Sequence, residues 1–69
     1  MNFMDFRNAK QDLLNAGRLL TSAEVMYLGG FSSHTTLIKM EREGEIKVAR
    51  RIGNRKRYQP THIRRVFGL

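Results

Sequence analysis

The sequence predicts a mainly α fold carrying one small β-hairpin. Three observations predict it: two capped helical segments meet at a glycine pair, a Gly-Asn turn sits between strand-like residues, and apolar residues recur at helical spacing before and after them. With 69 residues there is room for one small core, so all these elements must share it.

Taken in order, residues 5–16 read as a helix whose apolar face is Phe6, Ala9, Leu13 and Ala16, with Gly17 as its stop. This helix is set apart as an N-terminal appendage, residues 1–17, ahead of a domain spanning residues 18–69. Thr21 to Glu24 has the S/T-x-x-E form of a capping box, in which Thr21 caps a helix and Glu24 returns a bond to the cap. Val25 and Leu28 then face the core, and Gly29 with Gly30 permits a tight or left-handed turn. Ser32 or Ser33 caps the next helix, which runs to Glu43 with Leu37 and Met40 inward and Gly44 as its stop. Counting back from Gly44 favours Ser33, because that register keeps Leu37 and Met40 on the buried face.

Beyond Gly44, Ile46 and Val48 alternate with polar neighbours, as in a half-buried strand. Gly53-Asn54 is a turn pair across which Arg51 and Ile52 are expected to face Arg57 and Tyr58, leaving Arg55 and Lys56 at the tip. Pro60 suits the first turn of a last helix that buries Ile63, Val66 and Phe67 and turns Arg64 and Arg65 elsewhere. Two short helices joined by a glycine turn form a helix-turn-helix, and the hairpin behind them is a wing.

Charge is distributed unevenly along the chain. Residues 1–46 hold five basic and six acidic side chains, a sum of −1, whereas residues 47–69 hold eight basic side chains and no acid, a sum of +8. Such a patch attracts a polyanion, with phosphate neutralisation and counterion release supplying the binding free energy. The absence of cysteine removes disulfides and thiolate metal sites and fits a reducing compartment. Neither a secretory leader nor a long apolar run is legible, so a cytoplasmic, nucleoid-associated protein without membrane partners is expected.

The order "LLTSAEV", a glycine turn, "TTLIKMEREGEI", "RIGNRKRY" and "HIRRVF" resembles the MerR-like excisionase family across residues 19–67. Its turn "LGGFSS" is about one residue longer than the family's usual form. The resemblance implies a winged helix-turn-helix that binds double-stranded DNA. Metal- and drug-sensing members carry a long dimerisation helix and a sensor after the wing, and the sequence reads to Leu69 without them. The expectation is therefore a stand-alone member: an excisionase, that is a recombination directionality factor working with an integrase or recombinase, or a small transcription regulator. Members of this kind load side by side on repeated sites and bend DNA.

In helix-turn-helix proteins the start of the second helix enters the major groove. The expected base-reading residues are accordingly Ser33, His34, Thr35, Thr36, Ile38 and Lys39, with Lys39 donating to guanine and Ile38 touching a thymine methyl. Ser33 and Thr36 also have a plain reading as cap and packing residues. Backbone and wing contacts fall to Thr21, Ser22, Lys47, Arg50, Arg51, Arg55, Lys56 and Arg57. Strand alternation prevents Arg55, Lys56 and Arg57 from all pointing one way, so Arg55 and Lys56 are assigned to DNA and Tyr58 to the core. His34 and His62 lack metal-ligand spacing, and His62 is expected exposed. No phosphate loop, carboxylate pair, nucleophile with a base, cofactor motif or metal set is legible, so no catalysis is expected. The competing classes are an RNA-binding or ribosome-associated basic protein and the recognition subunit of a phage DNA-packaging machine. The first lacks clustered aromatics for base stacking.

Overall fold

A computed structural model describes the backbone of residues 3–69 and the side chains from Ala9 onward. It contains four helices, α1 (Phe3–Leu14), α2 (Ser22–Gly29), α3 (His34–Arg42) and α4 (Pro60–Phe67), and three short strands, β1 (Leu20–Thr21), β2 (Arg50–Ile52) and β3 (Arg55–Tyr58). The strands form one antiparallel sheet in the order β1-β3-β2. The fold is thus helix-rich with a hairpin, and the hairpin gains a third strand that the sequence reading did not anticipate.

The helix ends explain the local structure. Thr21 caps α2: its Oγ1 accepts from the Glu24 N–H at 3.2 Å while the Thr21 N–H donates to Glu24 Oε1 at 2.9 Å. Both halves of the expected box are therefore made. Gly30 closes α2 with φ 77°, a left-handed value that glycine adopts at little cost. At α3 the cap is Ser33, whose Oγ accepts from the Thr36 N–H at 3.4 Å, so the register counted back from Gly44 holds. Gln59 precedes α4, and Pro60 occupies its first turn.

One core unites these pieces, built on Leu20, Val25, Leu28, Leu37, Tyr58 and Ile63, with Leu14, Met26 and Ile46 joining them. Leu14 brings the end of α1 into the same cluster, and Arg64 of α4 donates to Asn15 Oδ1 at 3.1 Å. The expected α1 stripe is shifted, because Ala9 and Ala16 are exposed and the inward positions are Lys10, Leu13 and Leu14. Phe6 lies outside the described side chains. A pair spaced three and four residues after Lys10 outweighs the two alanines, which bury little apolar area.

Three further expectations need correction. Residues 46–49 are not a strand, because the Glu45 and Ile46 N–H groups close the end of α3 on the Met40 carbonyl at 2.9 and 3.3 Å. Ile46 is still buried, but as the apolar contact behind a helix end. The hairpin register also differs: Ile52 pairs with Arg55, Arg51 with Lys56 and Arg50 with Arg57. Of the turn pair, Gly53 takes a positive φ, 62°, and Asn54 does not, which makes a glycine-first two-residue turn, so Arg55 and Lys56 lie in β3 rather than at the tip. Finally, His62 is partly buried and its Nε2 accepts from the Lys47 N–H at 3.0 Å, tying the base of the hairpin to α4.

Candidate nucleic-acid interface

An open groove of about 390 Å³ runs between the start of α2, the outer side of α3 and strand β3. Of the residues singled out in the sequence, Thr21, Ser22, His34, Ile38, Arg55, Lys56 and Arg57 line it together. Glu41, Ala23 and Asn54 line it as well and were missed.

Helical spacing positions the α3 side chains. Leu37 is buried and Met40 packs on the core, which fixes the inward side. His34, Ile38 and Glu41 follow one another at four- and three-residue steps along the flank facing β3. Thr35, Ile38, Lys39 and Arg42 occupy the outward side, all exposed, with Ile38 47% exposed despite its apolar side chain. Arg42 shares this side through its spacing of four from Ile38 and seven from Thr35.

Strand β3 supplies the other wall. Lys56 and Tyr58 are two residues apart and project to the same side, where both reach Glu41 of α3. Lys56 Nζ lies 2.6 Å from Glu41 Oε2, and the Tyr58 hydroxyl donates to Glu41 Oε1. These two bonds tie β3 to α3 across the groove. Burial alone would raise the Glu41 carboxyl, but the Lys56 and Tyr58 bonds outweigh it and hold the carboxyl below its ordinary value. Burial, then the bond to Glu41, pushes the Tyr58 phenol up to about 12. Tyr58 is fully enclosed, as the sequence reading expected.

Lys56, expected at the DNA, has its ammonium engaged by an acid of the same chain. Arg55 remains exposed, and Arg57 spends one N–H on the Lys56 carbonyl at 3.1 Å. Thr21 and Ser33 use their hydroxyl oxygens as helix caps. At the start of α2 the Glu24 carboxylate already occupies the positive helix end and is gripped by Arg18 through bonds of 2.8 and 2.6 Å. The Arg18 pairing, against opposing burial, holds the Glu24 carboxyl at about 2.

Other sequence-selected residues lie outside the groove. Ser33, Thr35, Thr36 and Lys39 are exposed on or just before α3, while Lys47, Arg50 and Arg51 are exposed along the approach to the hairpin and in β2. Arg51 faces Lys56 across the ladder and adds to the positive field on Glu41. Among the described residues no helix is long and apolar enough to cross a membrane, and no three His, Cys, Asp or Glu residues come together as a metal site. Compared with protein families, with characterised proteins and with solved structures, the chain matches none.

Proposed function

We propose that this chain is a sequence-selective double-stranded DNA-binding protein of winged helix-turn-helix type, a binding module rather than an enzyme. The observation that carries the reading is one shared groove: the exposed start of α3 and the basic strand β3 wall the same concavity. The exposed side of α3 beside this groove and the arginines of β3 suit a duplex, whose major groove admits a helix and whose phosphates attract cations. On this reading α3 lies in the major groove. Thr35, Ile38 and Lys39 meet base edges, with His34 on the flank toward the wing, and Arg55 and Arg57 reach the adjacent minor groove or its phosphates.

The MerR-like, excisionase-type role read from the sequence fits this assignment, either as an architectural factor beside an integrase or as a small transcription regulator. Both roles use the same contacts, so the geometry speaks for DNA binding and leaves the choice to genomic context.

The test is fluorescence anisotropy on a selected duplex, a random duplex and RNA of matched sequence, over a series of salt concentrations. Lys39→Ala is expected to weaken the selected duplex by about 1–3 kcal/mol and the random duplex much less. Arg55→Ala is expected to weaken both alike and to reduce the salt slope by about 0.9. Equal losses on both duplexes for Lys39→Ala reject its base-reading role, and tighter binding to RNA than to duplex rejects the reading as a whole.

A further inference from the structure

From the Glu41 cluster we infer that this carboxylate is an internal stand-in for a DNA phosphate, holding Lys56 away from the duplex so that the groove discriminates rather than clings. The inference rests on the DNA-binding reading and names how that same site is tuned.

Lys56 has the sequence signature of a phosphate contact, since it lies in the basic run between Arg55 and Arg57. Its geometry says otherwise. The ammonium sits 2.6 Å from Glu41, the Lys56 side chain is 26% exposed and the Glu41 side chain only 13% exposed. A pair so enclosed is screened less by salt than a surface pair, and parting it strands a carboxylate in a poorly hydrated place. Glu41 is also fixed from a second direction by the Tyr58 hydroxyl, which is itself immobile in the core. The carboxylate therefore cannot swing out with Lys56 to make way for DNA. Glu41 lines the groove beside His34 and Ile38, so its negative charge faces any duplex lying there. Two effects follow: one cation is removed from the sequence-blind attraction, and one anion opposes phosphates brought too close to α3.

The Arg18–Glu24 ion pair belongs to the α2 cap. The Lys56 pair is the one set inside the groove, where a structural role is already met by Tyr58 and the hydrophobic core. An ion pair that merely braced the hairpin would lose stability when its charge is removed but leave the salt slope on DNA unchanged. A phosphate stand-in changes that slope, and this difference can be measured.

The experiment records random-duplex affinity between roughly 50 and 200 mM salt for the wild-type chain, Lys56→Met, Glu41→Gln, the double variant and Arg55→Ala. Glutamine keeps an oxygen for the Tyr58 hydroxyl while losing the charge. The expected result is that Glu41→Gln frees Lys56 for a phosphate, tightens random-duplex binding and steepens the salt slope by about 0.9, so that affinity falls about 3.5-fold further over that salt range. Lys56→Met is expected to leave the slope unchanged, and the double variant to return to the wild-type slope. The inference is overturned if Lys56→Met loses as much slope as Arg55→Ala, or if a folded Glu41→Gln chain keeps the wild-type slope. Should Glu41→Gln fail to fold, Lys56→Met decides alone, because it leaves the Tyr58 bond in place. The Arg55→Ala arm reports separately on the underlying reading: an unchanged slope there removes the groove from DNA and takes the stand-in with it.

Discussion

Gly29 is the last residue of α2 and has no positive φ, so backbone freedom does not explain it. Space does. A Cβ at this position would come within 2.5 Å of Phe31 and 2.7 Å of Phe67, whose rings meet edge to face at 6.2 Å. Gly29→Ala is expected to destabilise the fold by about 1–2 kcal/mol, overpacking of about 1–3 kcal/mol being partly offset by the better helix propensity of alanine. Urea unfolding checks the value, and a parallel Gly29→Ala/Phe31→Leu chain should recover part of the loss because the shorter side chain can withdraw. A stability equal to wild type for Gly29→Ala would show that the aromatic pair can shift freely. The neighbouring Gly30 is held for the other reason, its φ of 77°. In the sequence both residues read alike as turn glycines, because close approach between distant rings leaves no local trace.

At the scale of elements, the start of α2 joins strand and helix in one device. Thr21 both ends β1, opposite Arg57, and caps α2, while Glu24 returns the bond and takes the bidentate grip of Arg18. The folded-state carboxyl of Glu24, at about 2, lies below its ordinary value of 4.5. Its contribution to stability is therefore complete above about pH 4.5 and is lost as the pH falls toward 2. Arg18 is 52% exposed, so solvent screening keeps the contribution modest. Glu24→Gln is expected to lower Tm by a few degrees near neutral pH, with the gap from wild type closing by about pH 2. A gap independent of pH would assign the effect to the cap bond alone and not to charge. This device was half legible: the four-residue box could be read directly, but β1 could not, since a two-residue strand has no periodicity. Helices α2 and α3 were legible for the same reason that the box was, through caps and glycine stops written in consecutive residues, whereas α1 ends at Leu14, short of the Gly17 read as its stop. The hairpin register and the fate of residues 46–49 were not, because they depend on where α3 places its terminal carbonyls. Within the candidate site, exposure along α3 followed from spacing, whereas the capture of Lys56 by Glu41 joins residues fifteen apart through the fold.

The whole molecule measures 36 × 23 × 20 Å over its described residues, so its long axis spans about one turn of B-DNA, roughly 34–36 Å. A single module of this size covers only about 600–1,000 Å² of interface. Such an area gives weak selectivity on its own, and the proposed DNA-binding role therefore calls for more than one copy per functional site. Copies related by direct repeats a full turn apart, about 10–11 base pairs, lie on the same side of the duplex and can touch. Copies offset by a further half turn lie on opposite sides and cannot. Duplexes carrying two selected sites at about 10–11 and at about 15–16 base pairs should therefore differ, with the second copy binding about tenfold more tightly at the in-phase spacing, equivalent to about 1.4 kcal/mol of contact between neighbours. Gel shifts that resolve singly and doubly bound DNA measure this ratio directly. Equal second-site affinity at both spacings would mean that each copy acts alone, and selectivity would then have to come from α3 and the hairpin without help from a neighbour.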